Sequence, residues 1–168
     1  MAGRTAIKRT ANAALFQIID PDDQIVAGTW ALTGPPVWLD LLHAVGLLKF
    51  VPLLGQFVPP VDLLVPAVGR RTYVAVTRRR MIFIRLSWPK NKPRQVVLDV
   101  PVSAVRISGS RRGLALDSVR YSGPGESDLG VSTPRYWRSD FDEVLAAMHA
   151  GGASIDLAGS QRDAIGTA

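Results

Sequence analysis

The sequence predicts a mainly antiparallel β fold of the α+β class: a bent sheet or partly open barrel closed by a C-terminal helix, with a further helix at the N-terminus. Three observations carry that expectation. From residue 71 onward, short apolar runs alternate with Gly, Pro, Ser and Arg turns, the rhythm of antiparallel strands. Both flanks of the chain carry apolar stripes at helical spacing. Between them, residues 35–69 form a nearly uncharged stretch that departs from everything around it.

The 168 residues suffice for one hydrophobic core with appendages, and 47% apolar with 20% charged residues is the composition of a folded chain. The organisation read from the sequence is an N-terminal amphipathic helix over 1–20, one folded domain over 21–150 carrying an apolar insertion at 35–69, and a disordered tail over 151–168. In the first helix, expected over Arg4 to Ile19, the residues Ile7, Ala11, Ala14, Leu15 and Ile18 share a stripe, with Lys8, Arg9 and Asn12 turned away. Asp20, Pro21, Asp22 and Asp23 break it. Gln24 to Leu32 then alternates as a strand.

In the insertion only Asp40, Lys49 and Asp62 carry formal charge, and Pro52, Pro59, Pro60 and Pro66 interrupt it, so it does not read as a transmembrane helix. Val37 to Val51 reads as a helix with a narrow polar stripe, Asp40, His43 and Lys49, and a broad apolar face. That face needs cover from the chain's own sheet, a second subunit or the outer layer of a bilayer. Its docking candidates are Trp38, Leu41, Leu47, Leu48, Phe50 and Phe57. Three apolar elements exceed what one small barrel can hide, which leads to the expectation of a homo-oligomer or of another protein partner.

After Gly69, Arg71 to Thr77 and Arg80 to Ser87 flank Arg78 and Arg79 as an antiparallel hairpin. A loop from Trp88 to Pro93 leads to a strand over Gln95 to Val100, with Val96, Leu98 and Val100 on one face. Further strands are predicted at Ala104 to Ser108, Leu114 to Tyr121 and Asp128 to Ser132. The last helix is expected to start with Ser139 as N-cap and Asp142 three positions on, with Phe141, Val144, Leu145 and Met148 as its stripe. Gly151 and Gly152 stop it.

The hairpin RTYVAVTRRRMIFIR and the segment VVLDVPVSAVRIS that follows it resemble the bacterial pleckstrin-homology-like and GRAM-type family. An apolar strand ends there in Thr, a basic turn follows, a second apolar strand returns, and a strand ending in Pro leads into the next. The resemblance covers Gln24 to Leu32 and Arg71 to Ala150, and the insertion departs from the compact family layout. It implies a scaffold for proteins, peptides or lipid headgroups, including through self-assembly, rather than one particular ligand.

The residues point the same way. Without Cys there is no thiolate nucleophile, disulfide or thiolate metal site. His43 and His149 lie far apart without a carboxylate cluster, so neither catalysis nor a metal is expected, and no cofactor is predicted. Gly123, Pro124 and Gly125 lack the Lys and Ser or Thr of a phosphate loop and read as a turn. Net charge +6 favours anionic partners. Arg70, Arg71, Arg78, Arg79, Arg80, Lys90, Lys92 and Arg94 are the candidates for an anionic ligand, because guanidinium forks match phosphate oxygens. The basic signature of phosphoinositide-binding members is not evident in the apolar first inter-strand loop. Nucleic acid is disfavoured because Tyr73, Phe83 and Tyr121 occupy core strand positions rather than an exposed stacking platform.

The functional expectation is a non-catalytic interaction module that docks through its insertion to a membrane surface, a partner protein or copies of itself. The alternative is a lipid or small-ligand carrier whose insertion roofs a cavity. With no secretory signal pattern at the N-terminus, the expected location is the cytoplasm, including the inner face of the membrane.

Overall fold

The structure, a computed structural model, describes residues 3–34, 70–87, 90–112, 116–122 and 129–156. Its elements are α1 (Arg4–Leu15), β1 (Ile25–Gly34), β2 (Arg70–Thr77), β3 (Arg80–Leu86), β4 (Pro93–Pro101), β5 (Arg106–Arg112), β6 (Leu116–Ser122), β7 (Leu129–Pro134), α2 (Arg138–Ala150) and β8 (Ser154–Asp156). The α+β, mainly antiparallel class stands. The strands form one sheet in the order β4-β3-β2-β1-β7-β6-β5-β8, whose edge strands do not pair with each other, so the sheet is not a closed barrel.

Two half-sheets meet at a short seam. β1 pairs with β2 along most of its length, but with β7 only through Leu32, Thr33 and Gly34. Beyond the seam β1 and β7 part, and α2 packs against β1, β2 and β7. Phe141, Val144 and Met148 enter a core there with Val74, Val76, Met81, Phe83, Ile107 and Val131. Each such buried side chain contributes roughly 1.5–3 kcal/mol.

The opposite face of β1 to β3 is covered as well. α1 lays Ile7, Ala11 and Leu15 on Trp30, Tyr73, Ala75, Ile82 and Ile84. The hairpin is therefore apolar on both faces of its pleat, which is why YVAV and MIFI read as unbroken apolar runs instead of alternating. Polar contacts fix the helix in place: Tyr73 Oη donates to Asn12 Oδ1 at 3.1 Å. Asp140 of α2 accepts from Arg4 Nε at 2.6 Å and from Lys8 Nζ at 2.8 Å.

Several sequence expectations are corrected. α1 ends at Leu15, not Ile19, because the backbone tightens there: Gln17 N–H reaches Ala14 O and Ile18 N–H reaches Leu15 O, three residues back. The tightened turn brings Ile19 to the sheet and leaves Ile18 exposed. Ser139 does not cap α2, which starts at Arg138 after a 3-10 turn at Arg135–Trp137. Its Oγ accepts from Arg4 at 2.6 Å.

In β4, a bulge at Val97 puts Val96 opposite Ile84 and Leu98 opposite Phe83. Val96 therefore packs on the α1 side, whereas Leu98 and Val100 pack on the α2 side. Ala104 lies in a 3-10 turn, Val102–Ala104, rather than in the next strand, and Leu145 is only half-buried; the expected start of the following strand at Leu114 lies outside the described residues. The segment from residue 151, expected to be disordered, forms β8 at Ser154–Asp156, parallel to β5.

Candidate functional site

The register divides the eight candidate basic residues into two groups at opposite ends of the β2–β3 hairpin, roughly 24 Å apart at 3.4 Å per residue. Arg78 and Arg79 form the turn, and Arg80 begins β3 beside it. There the Arg78 N–H donates to Asp23 Oδ1 at 3.2 Å, and Arg80 pairs with Asp99 at 2.7 Å. Asp20 and Asp22 are exposed on the α1–β1 connection that Asp23 ties to this turn, so the charge at this end is mixed.

Among the described residues, the other end of the hairpin carries only basic charge. Arg70 and Arg71 begin β2, and the β3–β4 connection and the start of β4 supply Lys90, Lys92 and Arg94, of which Arg70, Lys90, Lys92 and Arg94 are exposed. Arg85, opposite Thr72 and Gln95, adds a sixth cation that the sequence reading did not select. Its signal is the alternation Met81, Phe83, Arg85: a charge on the core-facing side of a strand marks where the core ends. Between Arg70 and Leu98 the chain has no acidic residue.

Two polar clusters shape this end. Thr33 and Thr72, buried diagonal neighbours on β1 and β2, join their hydroxyls at 2.7 Å, and Thr33 also donates to Arg70 O, its partner in the register, at 3.2 Å. They hold together the two chain ends from which residues 35–69 leave and return. On the opposite side of the strands, Asn91 Oδ1 accepts from Trp30 Nε1 at 3.3 Å and from Arg71 at 3.4 Å, while the Arg71 guanidinium lies 6.0 Å from the Trp30 ring centroid. Trp30 and Asn91 were not singled out as site residues from the sequence. No local pattern marks them, since their contact spans 61 positions.

The remaining candidates are distributed elsewhere. Trp38, Leu41, Leu47, Leu48, Phe50 and Phe57, together with His43 and the Gly123 to Gly125 turn, lie outside the described residues. His149 is exposed in the last turn of α2. Tyr73, Phe83 and Tyr121 are buried. Burial, with the nearby Asp140 charge, pushes the Tyr73 phenol up, and burial alone does the same to Tyr121. Tyr121 stacks edge-on to Phe83 at 6.1 Å, and its hydroxyl has no hydrogen-bond partner among the described residues. Among the described residues no three His, Cys, Asp or Glu side chains are grouped to hold a metal, and no helix is long and apolar enough to cross a membrane.

No family model matches the chain, and no curated protein does. Among solved structures it is similar to the hSac2 domain from human phosphoinositide phosphatase Sac2, at 9% sequence identity and a TM-score of 0.45, over 94% of this chain and 90% of that one.

Proposed function

We propose that the chain is a non-catalytic, pleckstrin-homology-like module that docks on an anionic membrane surface through the basic end of its hairpin and the apolar segment beside it. One observation carries the reading. Residues 35–69, with only three formal charges, leave the sheet at Gly34 and re-enter it at Arg70, at the end that gathers Arg70, Arg71, Arg85, Lys90, Lys92 and Arg94. Apolar insertion and basic attraction add at a lipid surface, each Lys or Arg near it contributing about 1 kcal/mol. The strand layout supports the family reading: two half-sheets share a short seam and a C-terminal helix packs where they part. The mixed charge around Arg78 to Arg80 assigns those residues to solvation and ion pairing.

Vesicle co-sedimentation tests this. The chain is expected to sediment with phosphatidylcholine vesicles containing about 30% phosphatidylserine, and to be released as salt shortens the Debye length from about 10 Å toward 3 Å. Lys90→Gln with Lys92→Gln should weaken binding by roughly 2 kcal/mol, or about thirtyfold. Equal sedimentation with uncharged vesicles, or none with either, would overturn the reading. In the second case a lipid-free dimer by light scattering would transfer the docking role to protein.

A further inference from the structure

We infer that Asn91 is a positioning residue for this surface: it presents Lys90 and Lys92 outward by anchoring the loop between them to Trp30 and Arg71. The inference rests on the membrane reading above and adds the mechanism by which the loop is held. Asn91 is the non-glycine residue with positive φ among those described, at 51°, a conformation that Asn tolerates better than most residues. Its own N–H donates to Ser87 O at 2.8 Å, Ser87 N–H donates to Lys92 O at 2.8 Å, and Lys92 N–H donates to Ser87 Oγ at 3.1 Å. Backbone bonds thus close the loop on itself.

Beyond its own strands β3 and β4, the closed loop is tied to β1 and β2 by the Asn91 carboxamide. Its oxygen takes the indole N–H of Trp30 and a guanidinium N–H of Arg71, two donors from different strands converging on one acceptor. Trp30 is buried, so the anchor has a fixed base under α1. With Asn91 turned inward, its neighbours Lys90 and Lys92 are both exposed. A cation held on a fixed loop loses less freedom on meeting an anionic plane than one on a loose loop, and that difference appears as affinity.

Asn91→Gly is the test, because Gly keeps access to positive φ while removing the carboxamide, and the Trp30 indole resonance separates loss of that anchor from the added backbone freedom. Affinity for phosphatidylserine-containing vesicles is expected to fall about three- to tenfold. In the background of Lys90→Gln with Lys92→Gln the same substitution should have no further effect, since its role passes through those side chains. The Trp30 indole N–H resonance, assigned with Trp30→Phe, should shift in Asn91→Gly. An Asn91→Gly chain that binds like the unmodified one overturns the inference, as does an equal loss of affinity in the lysine-free background, which would mark a general structural role. If the unmodified chain ignores anionic vesicles, the failure belongs to the membrane reading, and the indole resonance still reports whether the anchor exists.

Discussion

The Tyr73 ring lies across the Cα of Gly28, so close that a methyl group at residue 28 would overlap its hydroxyl end. Gly28↔Ala75 and Trp30↔Tyr73 are paired between β1 and β2, which aims the Tyr73 side chain along β1 toward Gly28 and on to Asn12 of α1. Gly28→Ala is therefore expected to destabilise the fold by about 1–3 kcal/mol through overpacking. Urea unfolding should show a lower midpoint at unchanged slope, and Tyr73→Leu should absorb part of the cost, since the two sites share one space.

Asp140 ties the two helices together. Burial pushes its carboxyl up, but the hydrogen bonds and charges of Arg4 and Lys8 outweigh that and hold it below its ordinary 3.8. A lowered folded pKa means that the carboxylate's stabilisation is complete above 3.8 and is lost as pH falls through the folded value. Asp140→Asn should lower stability at neutral pH by about 1–3 kcal/mol and flatten this part of the acid limb. An acid limb identical to that of the unmodified chain would show that the pair contributes nothing.

The face of α2 is graded. Phe141→Ala should cost about 3–5 kcal/mol and Val144→Ala somewhat less, whereas half-buried Leu145 should lose roughly 1–2 kcal/mol on truncation, because part of its surface already meets water. Thermal unfolding of the three variants gives the order directly.

Arg78→Ser with Arg79→Ser removes as much charge as neutralising Lys90 and Lys92, yet from the end where Asp20, Asp22 and Asp99 balance it. Vesicle affinity should change by less than about threefold, the residual effect of net charge alone. A loss matching that of the lysine variant would place the surface at the turn.

The hairpin was legible because apolar runs on either side of a two-residue basic turn permit few alternatives, and the helices were legible from their stripes. What escaped depended on partners distant in sequence. The bulge at Val97 leaves the alternation of Val96, Leu98 and Val100 intact on paper, and only pairing with β3 reveals the change of face. β8 is three residues long and pairs with a strand nearly fifty positions earlier. The basic residues were all identifiable except Arg85, but their separation into two ends is a property of register. The cover on the outer face of the hairpin was readable as an amphipathic helix, though not where that helix would lie.

The narrow seam between the half-sheets has a kinetic consequence. Leu32 to Gly34 must find Gly130 to Ser132 across about a hundred residues, whereas β1 to β4 pair with one another within the first part of the chain. Closing so long a loop for so few ladder bonds places the seam late in folding. During synthesis the first half-sheet has its own helix to cover one face while its other face waits for Phe141, Val144 and Met148 to emerge. Pulsed hydrogen exchange on refolding should find Val74 and Phe83 amides protected before those of Val131 and Ser132, and the interval between them is when this chain is most open to misassembly.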